Sequence, residues 1–423
     1  MKILLYGINF APELTGIGKY SGELAAFLQA HQHQVRVITA APYYPEWKIY
    51  PGFSAWRYTK SVGSAIGINT ASNLVIFRCP IWVPSKINGL SRLLHLASFA
   101  FSSMPLALTQ IFWRPDVVIV IAPSFFCAPA AWLTARLCGA KAWLHIQDFE
   151  VDAAYSLGIL KDGLLRRLVT GVECFIMRRF DRVSTISARM MQRLDDKGVA
   201  AERRVLFPNW VDTTLIHPLA APSPFRVRLG LADDAVLVLY SGNMGEKQGL
   251  DVLLDAAVKL ATNPRVRFVM CGDGAARARM QQNYAHLGNI VWLDLQPVEL
   301  LNDLLNAADI HALPQRADAA DLVMPSKLTG MMASGRPTIA AAAAGTEIAG
   351  ALEGAGVVVP PGDAAAFAFA IAALANDPAL RMSLGAVARE QAVKDLGMEA
   401  ILKRFQQDLF AFVTGGLAPI NRP

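Results

Sequence analysis

The 423-residue chain is poor in paired cysteine: Cys79, Cys127, Cys138, Cys174 and Cys271 are scattered, odd in number, and form no C-x-x-C. That excludes a disulfide framework and a zinc ribbon. D-x-D and H-x-x-x-H are also absent, so no metal-held diphosphate is expected, and neither metal nor cofactor is anticipated. Without G-x-x-x-x-G-K-[ST] there is no Walker loop, and without G-x-S-x-G there is no hydrolase elbow. No dense Lys/Arg run and no nucleic-acid module occurs, so nucleic acid is not an expected partner. The opening "MKILLYGINFAPE" has no signal-peptide cleavage site and reads as a core strand of a cytoplasmic protein.

What is present is apolar residue, 53% of the chain, ample for two domains at this length. Charge is divided unevenly. Residues 1–210 hold 23 Lys+Arg against 13 Asp+Glu; residues 211–423 hold 17 against 21. The basic half contains the greasy segment "RLLHLASFAFSSMPLALTQIFW", residues 92–113. Pro105, His95 and four hydroxyl residues argue against a spanning helix. Two readings remain, a buried helix or a helix lying in an anionic bilayer interface, with Phe99 and Phe101 as the inserting side chains.

Apolar strands alternate with helical patterns through both halves, which predicts an α/β architecture of two doubly wound parallel sheets. "VLFPNWVDTTLIHPL", residues 205–219, reads as a hinge between them. Ligands of such sheets bind at strand carboxyl ends. The first glycine cluster, Gly16, Gly18 and Gly22, is spaced G-x-G-x-x-x-G and lacks the acidic partner of a dinucleotide site. It reads as a loop meeting another substrate, with Glu13, Lys19 and Tyr20 beside it, or as glycines that only ease a turn and a close helix contact.

Four glycine loops in the second half point to an anionic, nucleotide-like ligand. "SGNMGEKQG" supplies Gly242, Asn243, Met244, Gly245 and Lys247; "CGDG" supplies Gly272 and Asp273. "MPSKLTG" places Ser326 and Lys327 in a first helical turn, and "AGTEIAG" does so for Thr346 and Glu347. Backbone amides and ammonium groups at such positions suit a diphosphate. In the first half, "HIQDFEVD" brings His145, Asp148, Glu150 and Asp152 to a strand end.

These runs, with "FPNWVD", "LNAADIHALP" and "GVVVPPGDAAAFAFAIAAL", resemble the retaining family-four glycosyltransferases of the GT-B fold over nearly the whole chain. The flavour within that family is of colanic-acid-type exopolysaccharide enzymes. The resemblance implies an acceptor domain over 1–208 and a donor domain over 209–397, facing across a cleft, with a terminal helix near 398–413 packing back on the first. It further implies a nucleotide diphosphate sugar as donor (a GDP-sugar, GDP-fucose in particular) and a polyprenyl-diphosphate-linked acceptor at the inner membrane face. His145, Asp148 and Lys247 then serve the reaction, and Arg316 joins Lys327 at the diphosphate. The family's two glutamates fall on Leu322 and Gly330 here, leaving Asp321 or Glu347 for the ribose. Its Lys-Gly pair reads Gln248-Gly249. The missing glutamates keep open a non-catalytic sugar-nucleotide-binding subunit, or a sugar-nucleotide epimerase of the same fold.

Overall fold

The structure, a computed structural model, describes residues 1–63, 73–86, 88–151, 163–245, 248–316 and 325–415. It divides into two compact units, Met1–Pro208 with the chain from Leu402 onward, and Asn209–Ile401.

The first unit is built on eight strands: β1 (Lys2–Gly7), β2 (Gln34–Ala40), β3 (Thr59–Val62), β4 (Leu74–Cys79), β5 (Val117–Ala122), β6 (Lys141–Ile146), β7 (Arg182–Thr185) and β8 (Arg204–Leu206). Their order is β3-β4-β2-β1-β5-β6-β7-β8. The central runs, such as "VVIVIA" of β5, are buried throughout because helices cover both sheet faces. Two strands depart from the expected pattern. β3 pairs antiparallel with β4 and exposes all four residues, so it has no apolar alternation to read. β8 takes up the start of the expected hinge and pairs with β7.

The helices of this unit are α1 (Gly16–Ala30), α2 (Gly89–Thr109), α3 (Ala128–Cys138), α4 (Leu164–Met177) and α5 (Ala188–Asp196). The direction in which successive strands are added across the sheet reverses between β1 and β5, which run parallel. Right-handed crossovers therefore put α1 on one face and α2 to α5 on the other. The greasy segment is mostly α2, opened by a capping box in which Asn88 accepts from the Ser91 amide and Ser91 Oγ from the Asn88 amide. This helix is neither wholly buried nor wholly exposed. Phe99 is fully buried, whereas Phe101 is 74% exposed. Among the described residues, no helix is long and apolar enough to cross a membrane.

The second unit has six parallel strands, β9 (Val236–Ser241), β10 (Val266–Cys271), β11 (Ile290–Leu293), β12 (Ile310–Leu313), β13 (Thr338–Ala341) and β14 (Gly356–Val359), in the order β11-β10-β9-β12-β13-β14. Its helices are α6 (Pro224–Arg228), α7 (Leu250–Lys259), α8 (Arg277–Asn283), α9 (Leu301–Ala307), α10 (Ser326–Ala333), α11 (Glu347–Ala351), α12 (Ala364–Asn376) and α13 (Pro378–Asp395). The last helix, α14 (Met398–Thr414), carries Phe405, which packs edge-on against Trp143 of the first unit's sheet and stacks on Phe207.

His311 on β12 is fully buried, with Nε2 3.0 Å from Ser334 Oγ. Burial drives its pKa down to about 3, so the folded ring stays neutral. An unfolded histidine takes up its proton near pH 6.5, so this stability is present above that pH and is lost as pH falls toward 3. Between pH 7 and pH 5 the loss is about 2 kcal/mol. Denaturant melts of wild type and His311→Gln at both pH values check this. The variant's acid-induced loss should be smaller by that amount, and equal losses would refute it.

Candidate functional site

In the second unit the strand order reverses at β9, with β10 on one side and β12 on the other, all parallel. The crevice of such a sheet lies at that reversal, outside the strand carboxyl ends. The loops that follow β9, β10 and β12 converge there. Gly242 has φ +145, and a Cβ on it would stand 2.9 Å from Cδ and Cε of Lys327. The bare glycine lets the lysine stem lie against the loop. A Cβ on Gly272 would collide with the Gly242 carbonyl, so the "CGDG" loop packs backbone to backbone on the first. Gly249 lies beside the backbone of Gln315 and Arg316.

Lys327, in the first turn of α10, ties this cluster together. Its Nζ donates to Tyr240 Oη at 2.8 Å and to Gln248 Oε1 at 3.0 Å, and lies 4.6 Å from the Tyr240 ring centroid. Tyr240 donates its own proton to the Asn243 carbonyl at 2.5 Å. Burial raises the Tyr240 phenol and lowers the Lys327 ammonium to about 8. Among the described residues no carboxylate pairs with Lys327. Half-buried, held by neutral oxygens and still protonated at neutral pH, it is a cation that an anion would complete.

The loop amides divide. Gly242 donates to the Cys271 carbonyl and Met244 to the Asp273 carbonyl. Those two donors, expected at a diphosphate, instead hold the two loops together. Met244 is also a core side chain, fully buried. Asn243, Ser326 and Arg316 are exposed on the loop rims, with Gly245 half-buried beside them. Pro325, before α10, offers no side-chain cap, which leaves that helix start open. Thr346 caps α11 by accepting from the Ala349 amide, and Glu347 is the first residue of that helix, beyond β13. At Gly330, among the described residues, a Cβ would meet only Leu305, at 3.6 Å. Lys247, Asp321 and Leu322 lie outside the described residues.

The first unit has its own reversal, between β1 and β5. Glu13 lies in the β1–α1 loop and is buried; it accepts from the amides of Tyr43 and Tyr44, each at 3.0 Å, and from Asn9 Nδ2 at 3.0 Å. Desolvation raises its pKa against those donors. Gly18 is where α1 rides on this carboxylate, and any Cβ there would strike Glu13 Oε2. Glu13 and Gly18 thus brace the loop from below. Gly16 opens α1 at φ +61. Lys19 lies 5.1 Å from the ring of buried Tyr20 and 3.8 Å from Glu23.

His145 lies within β6, 4% exposed, its Nδ1 2.9 Å from Ser184 Oγ and its ring against Phe207. Burial takes its pKa to about 3. At neutral pH it is a neutral hydrogen-bonding group rather than a cation. Asp148 lies in the loop beyond β6 and raises the pKa of Glu150. Glu150 was legible in the sequence only as one of three carboxylates there; the third, Asp152, lies outside the described residues. The fold buries Glu150 and makes it accept from the amides of Ser124 and Phe125, clamping the β5 loop to the β6 loop. Its pKa rises to about 7, chiefly by desolvation. Tyr240 and Gln248 were missed as well. Gln248 stood where the family pattern has lysine, and that substitution was the one signal available.

The matches with known proteins follow the same division. Residues 15–210 match the model of a glycosyl transferase 4-like domain, and residues 235–377 that of glycosyl transferases group 1. The chain is 41% identical over 419 residues, 97% of its length and 100% of the relative's, to WcaI of Escherichia coli (strain K12), a protein named for glycosyl transfer in colanic acid biosynthesis. Among solved structures, the sucrose-phosphate synthase of Thermosynechococcus elongatus superposes with a TM-score of 0.74 at 19% identity, covering 98% of this chain and all of that one. HepE of Anabaena, in complex with UDP and glucose, gives 0.68 at 15% identity, covering 97% and 100%. Two doubly wound units, the two family models and the full-length relative lead to one assignment: this chain belongs to the glycosyltransferases of the GT-B fold.

Proposed function

We propose that the chain moves a sugar from a nucleotide diphosphate sugar to a lipid-linked oligosaccharide, with retention of configuration and without a metal, in exopolysaccharide assembly of the colanic-acid type. The second unit takes the donor and the first the acceptor. The observation that carries the donor half is the half-buried Lys327 ammonium, held by Tyr240 and Gln248 and by no described carboxylate. The name of the full-length relative supports the pathway, and the UDP held by HepE supports a nucleoside diphosphate on this fold. The base we favour is guanine and the sugar fucose.

As the glycosidic bond breaks, negative charge grows on the departing diphosphate. Preorganised donors lower that barrier without reorganising. Lys327 supplies one, Lys247 a second, and Arg316 with the open start of α10 the rest. Gly272 and Asp273 shape the floor, and Thr346 with Glu347 border the nucleoside. Neutral His145 and Asp148 orient the sugar or the incoming hydroxyl, and the glycine loop of Gly16 and Gly18 meets the acceptor. No paired carboxylate nucleophile is needed. The polyprenyl-diphosphate acceptor places the enzyme peripherally on the cytoplasmic face of the inner membrane.

A thermal-shift panel of GDP, UDP, ADP and their sugars tests the donor. A ligand at a hundredfold its Kd stabilises by about 2.7 kcal/mol. GDP compounds should raise the unfolding temperature, and EDTA should leave both the shift and the transfer rate intact. Stabilisation by UDP alone would overturn the choice of base. Activity abolished by EDTA and restored by magnesium or manganese would overturn metal independence.

A further inference from the structure

The outer faces of α2, α3 and α4 carry a feature the donor site does not use. Leu94 and Phe101 on α2, Leu133 and Leu137 on α3, and Leu168 and Phe175 on α4 are all exposed, from 41% at Leu133 to 74% at Phe101. Within each helix they stand four or seven residues apart, so each pair shares one helix face. The crossovers place all three helices on the same side of the first sheet. The helices also touch: Thr134 of α3 donates to the Ala107 carbonyl of α2, and Arg179, just past α4, lies over Trp132 of α3 and Phe175 of α4. Contiguous apolar surface of this kind marks an interaction site.

The charge pattern identifies the partner. Between Glu46 and Asp116 the chain has no carboxylate at all. In the three helices the one carboxylate is Glu173, buried on Lys197 at 2.5 Å. Arg136, Arg166 and Arg167 stand exposed on α3 and α4, and an open cavity of about 920 Å³ is lined by Arg166, Arg167 and Arg178. Beside Phe101, Tyr58 donates to the Ser102 carbonyl at 2.7 Å, and Trp56 is 72% exposed. Apolar rows flanked by arginine and amphipathic aromatics, with no exposed acid on the three helices, match the boundary between acyl chains and anionic headgroups. A two-fold dimer through the same face would set arginine against arginine, with no exposed carboxylate of these helices to offset them.

We propose that α2, α3 and α4 form a docking face that lies on an anionic lipid bilayer, with Phe101, Leu137 and Leu168 entering the acyl boundary. The face stands on its own geometry; it rests on the lipid-linked acceptor reading only for its purpose. Wild-type protein should float with vesicles of phosphatidylethanolamine and phosphatidylglycerol, less so at high salt, and poorly with phosphatidylcholine alone. The triple variant Phe101→Glu, Leu137→Glu, Leu168→Glu changes only exposed positions. Its vesicle partition should fall by about tenfold or more, with its unfolding temperature and nucleotide-induced thermal shift unchanged. If it fails to fold, Phe101→Ser with Leu168→Ser makes the same comparison. A wild type that never floats, or a folded variant that floats as well as wild type, overturns the face. So does a wild-type dimer that the substitutions dissociate while neither form binds vesicles. If wild type floats and the variant does not, yet no lipid-linked acceptor is glycosylated, the acceptor reading fails and the face stands.

Discussion

Replacing Lys327 with alanine should lower kcat/KM for glycosyl transfer by a factor corresponding to about 2–4 kcal/mol, the scale for one lost transition-state donor. Stability should not fall in parallel. The ammonium is held at about 8 by burial, so in the folded protein its charge is penalised relative to the unfolded chain. That penalty is complete below pH 8, where both states are protonated, and is relieved as pH rises from 8 toward 10.5. Removing the charge at pH 7 removes the penalty, at the expense of two hydrogen bonds to Tyr240 and Gln248 that water can replace. In wild type, kcat/KM should decline as pH rises through about 8, because the free enzyme then loses the cation. Lys327→Met keeps the apolar stem against Gly242 and should be as slow as alanine. Normal turnover in both variants would remove Lys327 from the diphosphate.

Two residues apart on α2, opposite outcomes are expected. Phe99→Ala should cost about 3–5 kcal/mol of folding stability, the range for a fully buried phenylalanine, whereas Phe101→Ala should stay within about 0.5 kcal/mol. Phe99 packs edge-on to Tyr6 at 6.1 Å, and the Tyr6 hydroxyl lies 2.6 Å from Ser103 Oγ on the same helix. Truncation leaves a cavity between α2 and β1 that a hydrogen-bonded neighbour cannot collapse to fill. Phe101 points away from that core, so its loss removes little folded-state contact. Urea midpoints of both variants decide the matter. Similar losses would mean that the two faces of α2 are misassigned. The contrast also restricts the vesicle experiment to Phe101, because any change at Phe99 confounds docking with unfolding.

The sequence alone determined what local physics encodes. Continuous apolar runs such as "VVIVIA" became central parallel strands because a strand buried on both faces needs no alternation. The glycine loops of Gly242 and Gly272 were legible because only glycine tolerates their backbone and their close approach. Family membership followed from the same motifs. Tertiary structure decided what depends on partners far along the chain. Tyr240 and Lys327 are 87 residues apart, and Gln248 and Lys327 are 79 apart. No periodicity announces such a triad. The segment 92–113 is apolar on nearly every side, so its composition could not say which phenylalanine faces the sheet; packing on β1 turned Phe99 inward and Phe101 outward. His145 sat at a legible strand end, but its neutrality comes from burial, which β7 and the chain after β8 complete by bringing Ser184 and Phe207 against the ring. Glu13 stood beside a glycine loop and Glu150 at a strand end, and the fold buries both on backbone amides; those donors offset only part of the desolvation, so both pKa values are raised.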